Sequence, residues 1–176
     1  MTLKKPAPLE SAATGASGLD SVLFREGMSR VAGAVHVVTT DGAAGRAGFT
    51  ATAVAPVTDS PASILVCVNT ASRSAQSLLS NGAFCVNTLS AADIRLADVF
   101  AGRTGIQGQE RFREGEWERL LTGAPVLASS LVAFDCRLSD ARIIATHHVI
   151  IGEIVAVRLG ETKPALVYQG RFYHEL

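Results

Sequence analysis

Short runs of β-branched and apolar residues recur along this chain, and helical stretches never alternate with them in a regular rhythm. Ala34 to Thr40, Ala47 to Val57, Ile64 to Val68, Ala83 to Leu89, Leu131 to Ile144 and Val149 to Leu159 all read as strands. Asp41-Gly42-Ala43-Ala44-Gly45 marks a turn after the first of them. Leu166 to Tyr168 pairs with Phe172 to His174 across Gln169-Gly170. A doubly wound nucleotide fold needs strand and helix to alternate, so it is excluded. The pattern predicts a mainly β protein, an antiparallel barrel decorated by a few short helices.

Those helices have start and stop signals. Asp20 or Ser21 is placed to cap a helix over Val22 to Val31, with Leu23, Met28 and Val31 inward and Gly33 ending it. Ser72 or Ser74 is placed to cap a second that ends near Asn81-Gly82. Ala91 to Phe100 reads as a third, offering Ile94, Leu96, Ala97 and Phe100 to a core. Residues 101–122 are polar, carry the single Trp117 and form a long connection, a feature that is often functional.

The size of 176 residues and the 48% hydrophobic content suit one domain with a real core. Residues 1–18 are rich in Ala, Ser, Gly, Pro and Thr and are expected to be a disordered tail, leaving 19–176 as the domain. Basic and acidic residues balance at 16 each, which argues against a nucleic-acid binder or a polybasic membrane anchor. No run approaches the ~20 apolar residues of a membrane span. Cys67, Cys85 and Cys136 are odd in number and widely spaced, so neither a disulfide framework nor a zinc site is expected. Each sits in an apolar run and reads as a buried thiol in a soluble, cytoplasmic protein.

Gly42, Gly45 and Gly48 have the wrong spacing for a dinucleotide fingerprint and read as turn glycines. Gly48-Phe49-Thr50-Ala51-Thr52-Ala53-Val54 puts small and hydroxyl-bearing residues on one strand. Such a strand leaves room for a flat aromatic ligand against main chain, though Thr and Ala are also ordinary sheet residues. Asn69-Thr70-Ala71-Ser72-Arg73-Ser74 opens a helix and reads equally as a phosphate cradle or a plain capped start. His147 and His148 are adjacent, so a strand would aim them at opposite faces, and no metal site is expected from them. Tyr173 and His174 read either as edge-strand residues or as closing a pocket.

Thr39-Thr40-Asp41-Gly42, Gly45 to Ala53, Leu65 to Asn69, Phe84 to Leu89, Phe134-Asp135-Cys136, Thr146-His147 and Ile151-Gly152 occur in that order. With these blocks the chain, from about Phe24 onward, resembles the flavin reductase family. That family has a split antiparallel Greek-key β-barrel that binds FMN, and includes the reductase components of two-component monooxygenases. The resemblance implies a homodimer that uses NADH or NADPH to reduce FMN or FAD, with reduced flavin passing to a separate monooxygenase. It implies that Thr50, Ala51, Thr52, Ala53 and Val54 hold the isoalloxazine. Asn69, Ser72, Arg73 and Ser74 would hold the phosphate, and Cys85, Val86 and Asn87 would line the site through backbone. Phe100, Arg103, Phe112 and Tyr173 would border it, and His147 would position the nicotinamide. Thr146 and His148 flank that histidine where many relatives have Gly-Asp and Thr, and Thr52 stands where many have Ser.

Three other readings remain on the same barrel. One is a non-catalytic flavin- or haem-binding module. Another is a pyridoxamine phosphate oxidase-like enzyme, for which Arg111, Arg113 and Arg119 are the only candidate second phosphate pocket. The third is a structural partner of an oxygenase.

Overall fold

A computed structural model describes residues 18–176, so all but the last residue of the expected tail lies outside the described residues. The Asp20 carboxylate accepts from Val22 N at 2.9 Å and opens helix α1, Ser21–Ser29. β1 (Gly33–Ala34) and β2 (His36–Thr40) follow. β2 turns antiparallel into β3 (Ala47–Ala51) through the Asp41–Gly45 turn. β4 (Val54–Asp59) and β5 (Ala62–Asn69) form the next hairpin.

Ser72 then caps helix α2, Arg73–Asn81, by accepting from Ala75 N. Gly82 ends it at φ +69°, a left-handed conformation that favours glycine. β6 (Ala83–Thr88) leads to a 3₁₀ turn, Ala91–Asp93, and helix α3, Ile94–Phe100. β7 (Trp117–Arg119) and β8 (Pro125–Leu127) make a small ribbon. β9 (Val132–Ile144) and β10 (His147–Leu159) form a long hairpin, and β11 (Leu166–Gln169) and β12 (Phe172–Glu175) close the chain.

Seven strands share one antiparallel sheet in the order β3-β2-β6-β9-β10-β5-β4. Its two edge strands, β3 and β4, are consecutive in the chain and are joined by Thr52 and Ala53 alone. The sheet must therefore curl until its edges approach. The register shifts in β10, between Ile151/Gly152 and Ile154/Ala156, help it to coil. No ladder joins β3 to β4 or β5, so the barrel stays unclosed at a seam.

Alternation along β2 explains its unbroken apolar run. Val38 packs into the core with Phe49, Val66, Leu78, Phe84 and Ile150. Val37 faces the other way, onto Leu89, Leu96, Phe100, Leu127 and Leu166. Both faces are covered, so both carry apolar residues.

Several expectations need correction. Ala47 to Val57 is two strands, because Val54 N bonds Thr52 O at 3.0 Å and turns the chain at Thr52-Ala53. Leu23, Met28 and Val31 are exposed, not inward; Glu26, Ser29 and Arg30 tie this end of the chain to residues 169–171 by polar bonds. Gly33 starts a strand rather than ending α1, and Ile94 is exposed. Residues 101–122 hold a 3₁₀ segment, Gly108–Arg113, and β7, both too short to leave a period in the sequence. Cys67 is half-buried rather than buried. Burial, then Asp135, pushes the Cys136 thiol up to about 12, and the same causes raise Cys85, so both stay protonated core groups.

His36 sits half-buried beside Thr88, its Nδ1 3.1 Å from Thr88 Oγ1, and burial lowers its pKa from 6.5 to about 4. Between those values the unfolded chain holds the extra proton, so stability falls as pH drops through that window and levels off below it. The total loss is up to ~3 kcal/mol. Urea unfolding at a series of pH values is expected to show this slope, and His36→Gln is expected to flatten it.

Candidate active site

The seam between the sheet edges opens into a cleft of about 940 Å³. One wall is β3 with Thr52 and Ala53, and the opposite wall is the end of β5 with the start of α2. The lip is the glycine-bearing stretch after α3, including Gly102, Gly105 and Gly108.

Gly48 organises this space. Its carbonyl accepts from Ser74 Oγ at 3.0 Å and from Arg111 Nη1 at 3.4 Å. One atom thus ties β3 to α2 and to the 3₁₀ segment. A Cβ on Gly48 would lie 2.7 Å from the Phe100 ring and 3.0 Å from the Val38 carbonyl. Phe100 cannot yield, because Phe112 and Trp117 hold it edge-on with centroids at 5.1 and 5.6 Å. Thr50 lines the cleft, and its hydroxyl donates to Ala97 O at 2.7 Å and so fixes α3 against that wall.

Main chain is what β3 offers to the cleft. The N–H groups of Thr52 and Ala53 make no hydrogen bond among the described residues, and both residues are exposed. Their carbonyls are used, by Val54 N and by Cys67 N. Two adjacent donors therefore stand free on a wall of small side chains.

The charge of the cleft is one-sided. Arg46, Arg73 and Arg111 line it, and no Asp or Glu does. Arg46 is already paired with Asp41 at 3.1 Å. Among the described residues the Arg73 side chain makes no ion pair or hydrogen bond, and the Arg111 side chain bonds only the carbonyls of Ile106 and Gly48. Burial, followed by the neighbouring Arg73 guanidinium, lowers the Arg111 pKa from its ordinary value. Two like charges thus stand together beside the N-terminus of α2.

His147 is the first residue after the two-residue turn Ala145-Thr146 and pairs with Asn69. Its Nδ1 lies 2.9 Å from Thr146 Oγ1, and its Nε2 has no hydrogen-bond partner among the described residues, while the residue lines the cleft. His148 does not reach the cleft.

The family model described as a flavin reductase like domain matches residues 28–176. The chain belongs to the flavin reductase family. It is 43% identical over 175 residues to a protein of Ancylobacter novellus named FMN reductase (NADH) RutF, a match covering 98% of this chain and 96% of that one. A protein of the same name from Pseudomonas syringae pv. syringae is 44% identical over 160 residues, covering 91% of this chain and 89% of that one. Among solved structures, BorF, the flavin reductase component of a bacterial two-component tryptophan halogenase, superposes with a TM-score of 0.82 at 31% identity. That match covers 89% of this chain and 98% of BorF.

Of the residues a flavin reductase would use here, Thr50, Ala51, Thr52, Ala53, Asn69, Ser72, Arg73, Ser74, Phe100 and His147 all line the one cleft. Val54 does not; it packs against the core. Cys85, Val86 and Asn87 are fully buried and do not line it, because β6 is an inner strand between β2 and β9. Asn87 instead donates to Val37 O and accepts from Leu127 N, pinning β8 to the sheet. Phe112 supports Phe100 from behind. Arg103 and Tyr173 stand in a smaller, adjoining cavity.

Arg111 and Cys67 were missed as lining residues. Nothing in spacing separates Arg111 from its neighbours. Only the fold pairs Arg113 with Glu110 and Arg119 with Asp41, both at 2.8 Å, and leaves Arg111 unpaired. That pairing also dissolves the second phosphate pocket that a pyridoxamine phosphate oxidase-like enzyme would need.

Gly48→Ala is expected to weaken FMN binding at least about tenfold and to cost about 1–3 kcal/mol of stability. Flavin fluorescence titration and thermal unfolding check the two effects.

Proposed function

We propose that the chain is an NADH-dependent FMN reductase, acting as a homodimer and supplying reduced flavin to a separate flavin-dependent monooxygenase. One observation carries this reading: free main-chain donors at Thr52 and Ala53 share a cleft with two unpaired guanidiniums and no carboxylate. A flavin mononucleotide has the matching parts, a planar ring with a polar edge and a phosphate dianion. When bound, the flavin supplies the ring that accepts and releases a hydride.

The protein supplies placement. Thr52 and Ala53 N–H donate to the polar edge of the ring, and the small side chains let it lie against main chain. Arg73, Arg111 and Ser72 receive the phosphate, with Ser74 spent on holding α2 to Gly48 O and Asn69 accepting from Ala71 N to shape the turn before them. His147, fixed by Thr146, positions the nicotinamide over the ring. Hydride transfer needs orientation and no acid or nucleophile, so alignment sets the rate.

The dimer is supported by α1. Val22, Leu23, Phe24 and Met28 are all exposed on one short helix, a surface a second copy would cover. The openness of the seam to solvent suits a flavin that arrives and leaves as a substrate. FAD and NADPH are the alternative ligands.

NADH and NADPH oxidation by the purified protein, with FMN, FAD or riboflavin added, tests the reading. Arg73→Ala and Arg111→Ala are each expected to weaken FMN binding about tenfold and to change riboflavin binding less than about twofold. Equal losses for both flavins contradict the phosphate assignment. His147→Ala is expected to raise the KM for NADH without weakening FMN.

A further inference from the structure

The lip of the cleft, residues 102–108, is lightly held. Ile106 is half-buried and packs beside Phe112 and Trp117, but the rest of the lip is exposed. Thr104, Gly105 and Ile106 make no main-chain to main-chain hydrogen bond among the described residues. A stretch with exposed side chains and so few backbone bonds opens at low free-energy cost. Its first end is anchored by Arg103, which pairs with Asp98 at 3.0 Å.

Beyond that anchor, one polar side-chain tie reaches the lip among the described residues. Arg111 Nε donates to Ile106 O at 3.1 Å. The same guanidinium donates through Nη1 to Gly48 O on β3 at 3.4 Å. A Cβ on Gly102 would lie 3.4 Å from Nη2, so the group reaches both Gly102 and Ile106. Both bonds are longer than the ~2.9–3.0 Å usual for an N–H donor on a carbonyl. The tie from lip to wall is made but slack.

An arginine carries five N–H donors in a rigid fork. One on Nη1 and both on Nη2 have no acceptor here among the described residues. Burial, then the Arg73 guanidinium, lowers the Arg111 pKa, so the two charges act on each other. An anion between them relieves that repulsion and lets Arg111 draw in, together with whatever Arg111 holds. We propose that Arg111 is a latch, which closes the lip over the cleft when its open N–H groups take up the flavin phosphate. This inference rests on the FMN reductase reading above. The phosphate site then does more than add affinity, because it orders a wall of the cleft that the ring also occupies.

Amide hydrogen exchange across the lip tests this, since riboflavin has the ring without the phosphate. In the unaltered protein, the amides of Gly105 to Gly108 are expected to slow at least about tenfold with saturating FMN and less than about twofold with saturating riboflavin. Arg111→Lys keeps the charge and loses the fork. At saturating FMN it is expected to leave the lip exchanging as in the flavin-free protein. Arg73→Ala, saturated with FMN, is expected to retain the slowing, because Arg73 does not touch the lip. Equal slowing by both flavins, no slowing with FMN bound, or slowing that survives in Arg111→Lys overturns the latch. If Arg111→Lys fails to fold, the comparison of FMN with riboflavin in the unaltered protein decides alone. If flavin fluorescence shows that FMN does not bind at all, it is the reductase reading that fails.

Discussion

A sheet whose two edge strands are neighbours in sequence cannot lie flat, and this is the constraint on which the rest of the molecule depends. β3 and β4 are separated by Thr52 and Ala53 alone yet lie six strands apart through the sheet order. Curling brings the edges together, and the turn at Thr52-Ala53 prevents them from pairing. An unpaired sheet edge is ordinarily a hazard, because its free N–H and C=O groups template further strands. Here the open edge faces a cleft covered by α2 and the lip after α3, so the unmet donors are presented to a ligand.

Charge sorts the ligand's parts. Four arginines stand at or near the seam, and what separates them is their partners. Arg46 and Arg103 have carboxylates at 3.1 and 3.0 Å, whereas Arg73 and Arg111 have none. Arg73 is exposed and Arg111 half-buried, so both guanidiniums are accessible at that end, as the proposed phosphate site requires. Gly48 sets the scale of the same end, since one carbonyl fixes Ser74 and Arg111 and one missing Cβ admits Phe100.

Much of this was legible in the residues. The Ser72 cap, the Gly82 stop and the long β9–β10 hairpin follow from local rules that the tertiary structure does not override. The small-residue strand and the helix start after Asn69 were visible as candidates, and the family likeness joined them into one site. The break at Thr52-Ala53 was not visible, because Ala47 to Val57 has strand character throughout and the bonds that turn it, Val54 N to Thr52 O and Cys67 N to Ala53 O, form only in the folded chain. Arg111 was hidden for a different reason: salt bridges elsewhere decide which arginine remains unpaired. β6 misled in the opposite sense. Its motif of Cys85, Val86 and Asn87 suggested a lining, but the middle of a curled sheet has no open face, and Asn87 serves an internal network instead.

Amide hydrogen exchange at Thr52 and Ala53, followed with and without flavin, tests the central claim most directly. Both N–H groups are expected to slow markedly when either FMN or riboflavin is bound, since the ring alone satisfies them. Unchanged exchange at these two positions, with flavin shown by fluorescence to be bound, would contradict the account.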